Sequence, residues 1–334
     1  MAKPTVAIVG ATGVVGQEVL KVLAERDFPL ADLKLLASGR IPGRSLRFRG
    51  EEISVEEAVA SAFNGVDIVF CAAGTSVSEE LVPKAVEAGA VVVDKSSAFR
   101  YRDDVPLVVP EVNGADVSWH KGIIASPNCS TIQMVVALAP LHKAHPIRRV
   151  VVSTYQSVSG AGAEAMAELE AQSRAVLAGT NPTVTYLPRQ IAFNVVPEVE
   201  TFRQEDGYTT EEWKLATETR KIMHAPDMRI AATCVRVPVY RAHSEAVTVE
   251  FDDHVSVEEA TEILKAAPGV KVIEGIGKGM YPTALDADGN DDVWVGRIRQ
   301  DVSSPNGLVM WVVSDNLRKG AATNAVQIAE ALSL

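Results

Sequence analysis

Near the start of the chain an apolar run, Thr5–Val9, meets Gly10-Ala11-Thr12-Gly13-Val14-Val15-Gly16 and then a helical pattern through Arg26. Strand, glycine turn and helix in that order constrain the fold more than any other feature, because together they open a βαβ unit. Gly10, Gly13 and Gly16 let the backbone bend tightly and approach a pyrophosphate, while the following helix offers unsatisfied N–H groups to the anion. Short apolar runs at residues 33–37, 66–72 and 90–93, with helical segments between them, predict a parallel, doubly wound α/β sheet. Residues 107–109 and 123–125 continue the series.

The glycine spacing departs from the commonest dinucleotide fingerprint, and an ordinary strand-to-helix turn has the same look. Short-chain dehydrogenases share the pattern but need Tyr-x-x-x-Lys, and none of the six tyrosines is followed by lysine four residues on. After the second predicted strand the chain has Ser38-Gly39-Arg40 where an NAD enzyme usually places an acidic residue. Serine and arginine suit a 2′-phosphate, which favours NADP, although Arg40 also fits a solvated loop charge in a basic stretch. Ala73 and Gly74, just past another strand, offer a further close approach of backbone to cofactor.

The sequence has 334 residues, 47% of them hydrophobic, which favours two domains. A second style begins near residue 150. There a β-branched run at 150–155 leads to a glycine-containing stretch at 157–162, then helical patterns at 163–177 and 211–223 and strand-like runs at 229–237 and 245–251. This is the pattern of an α+β domain with antiparallel strands. The alanine-rich stretch 319–334 reads as a helix that returns to the first domain. A net charge of −11 disfavours nucleic acid and anionic lipid as partners. Neither a signal peptide nor a membrane span is expected. Three widely spaced cysteines suggest neither a disulfide framework nor a metal site, and fit reduced thiols in cytoplasm.

Cys129 lies in Ala125-Ser126-Pro127-Asn128-Cys129-Ser130-Thr131, between an apolar strand and a helix expected from about Ile132. A helix N-terminus favours the thiolate, and its N–H groups can stabilise an oxyanion. Cys71 and Cys234 sit in apolar runs and read as small buried hydrophobes. His243 is the histidine whose neighbourhood looks most like a site. His120, His142, His145, His224 and His254 read as surface residues.

These features converge on a family. The glycine turn, Ser-Pro-Asn-Cys-Ser-Thr at 126–131, Ser-Thr-Tyr-Gln-Ser-Val-Ser-Gly-Ala-Gly at 153–162, Arg236 seven positions before His243, and Asp-Asn-Leu-Arg-Lys-Gly-Ala-Ala at 315–322 closely resemble aspartate-semialdehyde dehydrogenase of the bacterial type. The resemblance runs over almost the whole chain. It implies an NADP-binding domain at 1–128 with 316–334 and a catalytic and dimerisation domain at 129–315. It also implies Cys129 as acyl-thioester nucleophile, His243 as acid/base, Gln156 as substrate orienter and Arg236 as clamp on the substrate α-carboxylate. Glu211 would contact the substrate amine; Arg100, Asn128 and Lys214 would bind phosphate. Ser159, Gly160 and Asn316 would stand near the cofactor, beside the first glycine turn.

The implied reaction is NADPH-dependent reductive dephosphorylation of 4-phospho-L-aspartate to aspartate 4-semialdehyde, toward lysine, threonine and methionine, in a cytoplasmic homodimer or a tetramer of dimers. The nearest rival, N-acetyl-γ-glutamyl-phosphate reductase, normally has Gly before its cysteine and an aromatic residue after, where this chain has Asn128 and Ser130. A non-catalytic dinucleotide-sensing paralogue should have lost the nucleophile or base, whereas Cys129, Gln156, Arg236 and His243 are all present.

Overall fold

The computed structural model describes residues 3–39 and 44–332. Its strands are β1 Thr5–Val9, β2 Asp32–Ala37, β3 Ser45–Phe48, β4 Glu51–Glu57, β5 Ile68–Cys71, β6 Val91–Asp94, β7 Ile123–Ala125, β8 Ile147–Gln156, β9 Arg229–Arg236, β10 His243–Phe251, β11 Val270–Ile273, β12 Val293–Gln300 and β13 Gly307–Ser314. Its α-helices are α1 Val14–Glu25, α2 Thr75–Glu87, α3 Pro110–Asn113, α4 Cys129–Ala144, α5 Ala163–Leu177, α6 Thr210–Ile222, α7 Val257–Ala266, α8 Ala284–Ala287 and α9 Thr323–Glu330. Two compact units result: one from the chain up to Asn128 together with the chain from Ala321 on, the other Cys129–Gly320.

The first unit carries a seven-stranded sheet in the order β3-β4-β2-β1-β5-β6-β7. Every neighbouring pair is parallel except the β3–β4 hairpin. β1 lies between β2 and β5, so the strand order reverses at its carboxyl end, where doubly wound sheets bind ligands. The β3–β4 hairpin has no counterpart in the hydrophobic pattern, because its residues are mostly exposed and alternate little between core and solvent. Residues 107–109 form only an isolated bridge, Leu107 to Ala125, since Val109 already leads into α3. α9 packs on α1 within one core containing Val19, Leu23, Val326 and Ile328. Arg26 clasps Glu330 through two hydrogen bonds of 2.8 and 2.6 Å. The expected continuous helix from Lys319 instead opens with a π-turn, Arg318–Ala322, in which Gly320 N–H bonds the Asp315 carbonyl.

The second unit carries a six-stranded sheet in the order β11-β12-β13-β10-β8-β9. β12, β13, β10 and β8 are antiparallel in succession, as expected, but β8–β9 and β11–β12 are parallel. The difference has a topological cause: parallel neighbours need a crossover, and α5 with α6 supplies one between β8 and β9. Pairing of Gln156 with Arg236, Tyr155 with Ser244 and His243 with Ser314 places Arg236, Gln156, His243 and Ser314 in one row on one buried face. The next row is Cys234, Thr154, Glu245 and Val312; the one after is apolar, with Ala232, Val152, Val247 and Met310. α4 also packs in this unit, its residues from Ser130 to Leu138 buried all round as in a core helix.

Candidate active site

In the first unit the glycine turn is built by backbone. Gly10 adopts φ +80°, and a Cβ there would stand 2.8 Å from the Ala72 carbonyl oxygen. A Cβ at Gly16 would stand 2.2 Å from the Gly10 carbonyl oxygen, so only glycine lets α1 begin so close to β1. Thr12, Gly13, Val14 and Val15 complete the turn, and the N-cap residue Gly13 gives α1 no side-chain cap, which leaves its first N–H groups to an anion. Ala73 and Gly74 follow β5, beside β1, and α2 too opens on an uncapped glycine. Open N–H groups, tight glycines and the reversal of strand order fit a dinucleotide pyrophosphate. Ser38 is exposed just past β2, and Arg40 lies outside the described residues. Glu57, unnoticed in the sequence, places its carboxylate 2.5 Å from where a Gly39 Cβ would be.

In the second unit α4 opens at Cys129, three residues earlier than the apolar pattern suggests, so the half-buried thiol stands on the first helical turn. Ser130 and Thr131 are polar yet fully buried, which hid the onset. Gly320 packs closely beside it: a Cβ there would lie 3.0 Å from the Cys129 Cβ. The other thiols are poor nucleophiles. Burial, reinforced by Asp94, pushes Cys71 up to about 12, and burial with Glu211 pushes Cys234 higher still.

His243 heads β10 and is fully buried. Its Nδ1 accepts the Ser157 backbone N–H at 3.0 Å, and an amide can only donate, so the neutral ring carries its proton on Nε2. Ser157 Oγ, also 3.1 Å from Nδ1, donates to Asn316 Oδ1 at 3.1 Å. Asn316 Oδ1 further accepts Ser159 Oγ–H and the Ala242 N–H, which fixes the orientation of the amide. Ala242 has φ +67°, so Asn316 holds the strained residue that delivers His243 to its strand.

Gln156 is held at both ends: Thr154 Oγ1 donates to its Oε1 at 3.0 Å, and its Nε2 donates to Glu211 Oε1 at 2.9 Å. Arg236 donates through Nη1 to the Ser157 carbonyl at 2.8 Å. Burial lowers the Arg236 pKa, while Glu211 and then Cys129 pull it back up, so guanidinium, carboxylate and thiol act on one another. A Cβ on Gly160 would come within 3.1–3.3 Å of Arg236 Nη1 and the His243 ring, so this glycine leaves the space over both. Cys129, Gln156, Glu211, Arg236 and His243 thus belong to one constellation.

Lys214, one turn past Glu211 on α6, forms an ion pair with Glu200. Arg100 is buried in the first unit with Nη2 on the Lys95 carbonyl at 2.6 Å, and Asn128 is buried at the end of that unit's main segment. Ser159 and Asn316, expected near the cofactor, take part in the hydrogen bonds around His243. Among the described residues no group of three or more His, Cys, Asp or Glu is arranged to hold a metal ion, and no helix is long and apolar enough to cross a membrane.

Residues 5–120 match the family described as semialdehyde dehydrogenase, NAD binding domain, and residues 138–319 match semialdehyde dehydrogenase, dimerisation domain. Aspartate-semialdehyde dehydrogenase of Bacillus subtilis is 52% identical, covering 98% of this chain and 96% of its own. That of Synechocystis is 54% identical with the same coverage. Aspartate-semialdehyde dehydrogenase II of Vibrio cholerae, solved as a complex with ASA, superposes with a TM-score of 0.96 at 46% identity over 99% of this chain and 98% of its own. The Candida albicans enzyme, solved with NADP, gives 0.75 at 26% identity over 99% and 98%. With both halves matched and relatives at this identity over nearly full length, the chain belongs to the aspartate-semialdehyde dehydrogenase family.

Proposed function

We propose that the protein reduces 4-phospho-L-aspartate to L-aspartate 4-semialdehyde with NADPH, through a thioester on Cys129, in the cytoplasmic synthesis of lysine, threonine and methionine. The observation that carries this reading is the buried guanidinium of Arg236 set among Glu211 and Cys129. A cation and an anion beside one nucleophile suit a substrate with its own carboxylate and ammonium. Arg236 clamps the α-carboxylate bidentately, Glu211 receives the ammonium, and Gln156 exchanges its hydrogen bonds for the acyl group. The N-acetylated rival substrate has no ammonium, so it would leave the buried Glu211 without its partner.

Cys129 thiolate adds to the acyl carbon, the carbon–oxygen bond to phosphate breaks, and a thioester remains. Arg100, Asn128 and Lys214 hold the phosphate, and Lys214 exchanges Glu200 for it. When bound at Gly10, Thr12, Gly13, Val14, Val15, Gly16, Ser38, Arg40, Ala73 and Gly74, with Ser159, Gly160 and Asn316 nearby, NADPH supplies the hydride that reduces the acyl carbon. Charge on the adduct oxygen is met by the Nε2–H of His243, held in that tautomer by Ser157. The adduct then expels Cys129 thiolate and releases the aldehyde. Of the acid/base role implied by resemblance, the Nε2–H tautomer supports hydrogen-bond donation to the adduct oxygen, and collapse of that oxyanion needs no proton from the ring. The unit matching a dimerisation domain forms a homodimer, and tetramers of such dimers are compatible with it.

The reading is tested by phosphate-dependent reduction of NADP with aspartate semialdehyde. Wild type should be active only with phosphate, and Cys129→Ala should lose roughly 10⁴-fold or more in kcat while still binding NADP. A folded, NADP-binding wild type with no activity on this aldehyde would overturn it.

A further inference from the structure

Beneath the row of Arg236, Gln156 and His243 lies Glu245, two residues past His243 on β10 and completely buried. Neither of its carboxyl oxygens has a hydrogen-bond partner at ordinary distance. Gln133 is also completely buried and lies one turn past Cys129 on α4, on the helix face of the thiol. Its amide is near enough to lower the Glu245 pKa against the larger effect of burial, although both amide atoms lack a hydrogen bond of ordinary length. The groups around Glu245 are Thr154 on β8 and Cys234 on β9 in its own row, Gln156, Arg236 and His243 in the row above, Glu211 on α6 with Glu212 beside Cys234, and Gln133 on α4. Burial, and to a lesser degree Glu211, push its pKa up. An ionised carboxylate in such a place needs a cation or several donors of its own. Arg236 lies in the row above, gives one N–H to the Ser157 carbonyl and keeps its others for the proposed substrate carboxylate, and the Cys234 thiol stays protonated.

We propose that Glu245 is a positioning residue that works as a neutral acid, forming with Gln133 a second layer that holds the first turn of α4, with Cys129, against the head of β10, with His243. The layer has two consequences. It fixes the thiol and the imidazole through residues one turn or two strand positions away. It also keeps a negative charge from His243, where a carboxylate would draw the ring toward imidazolium and put a proton on the Nδ1 that accepts from Ser157. This rests on the roles proposed above for Cys129 and His243.

The test compares Glu245→Gln, an isostere neutral at every pH, with Glu245→Asp, which withdraws the group by one methylene. Each is assayed for kcat and KM from pH 6 to 9 and for Cys129 alkylation by iodoacetamide, with Cys129→Ala as the blank. Glu245→Gln should keep kcat, KM and alkylation within about twofold of wild type across the range, whereas Glu245→Asp should lower kcat and alkylation about tenfold with KM within about twofold. If Glu245→Asp fails to fold, Gln133→Asn makes the same withdrawal from the helix side and should give the same pattern. A folded Glu245→Gln that loses kcat tenfold would show an ionised role and overturn the proposal. So would shortened variants with wild-type kcat and alkylation. Alkylation needs no substrate, so these outcomes are distinct from an inactive wild type, which would count against the proposed reaction instead.

Discussion

The two regions proposed to bind the cofactor and the acyl group are made from different material. The glycine turn is seven consecutive residues whose work is done by main-chain atoms, and its side chains matter mainly by being absent. The proposed acyl site is made of five side chains from α4, β8, α6, β9 and β10, brought together by strand register and by a long crossover. The first is intolerant of added atoms; the second is intolerant of lost hydrogen bonds. Substitutions should therefore separate cofactor binding from thiol chemistry.

The largest separation is expected at Gly16. An alanine Cβ would meet the Gly10 carbonyl oxygen, which is backbone and cannot swing away. Gly16→Ala should weaken NADP binding by roughly 100-fold and cost about 1–3 kcal/mol of stability, while Cys129 alkylation stays within about twofold. Fluorescence titration and alkylation kinetics check this, and a parallel loss of alkylation would break the contrast. A smaller effect is expected at Asn316, which supports the Ala242 N–H and the serines around His243. Asn316→Ala leaves a buried donor unmet, worth about 1–3 kcal/mol, and kcat should fall about tenfold with NADP affinity unchanged. Weaker NADP binding at constant kcat would move Asn316 to the cofactor side, where family resemblance puts it. The smallest is expected at Glu200, which occupies Lys214. Glu200→Gln should lower the KM for phosphate about two- to fivefold, in line with the ~0.2–1 kcal/mol of an exposed ion pair.

How much was legible in the sequence follows the same division. The strand, turn and helix at residues 5–25 could be read from local pattern because one contiguous segment makes both the fold and the site. Cys129 announced itself through its position between strand and helix, but Gln156, Glu211 and Arg236 carried no local sign and were named through family resemblance alone. The His243 strand begins two residues before its apolar pattern does, because His-Ser-Glu is polar and yet wholly interior. Gln133 and Glu245 escaped for that reason, as buried polar groups break the alternation that marks a strand or a core helix. The Glu200 partner of Lys214 and the Gly320 contact with Cys129 depend on packing across the fold and leave no trace in spacing.

The return of the chain to its first unit also bears on how the protein is made. α9 supplies Val326 and Ile328 to the core built around β1 and α1, yet the ribosome reaches it only after the whole second unit. At 5–20 residues per second that is a delay of roughly 10–40 s. For that interval α1 and its neighbours stand with an apolar surface uncovered, a state open to chaperones and to other nascent chains. A circular permutation that joined α9 directly to the start of β1 would remove the delay, and folding yield without chaperones is the quantity it should raise.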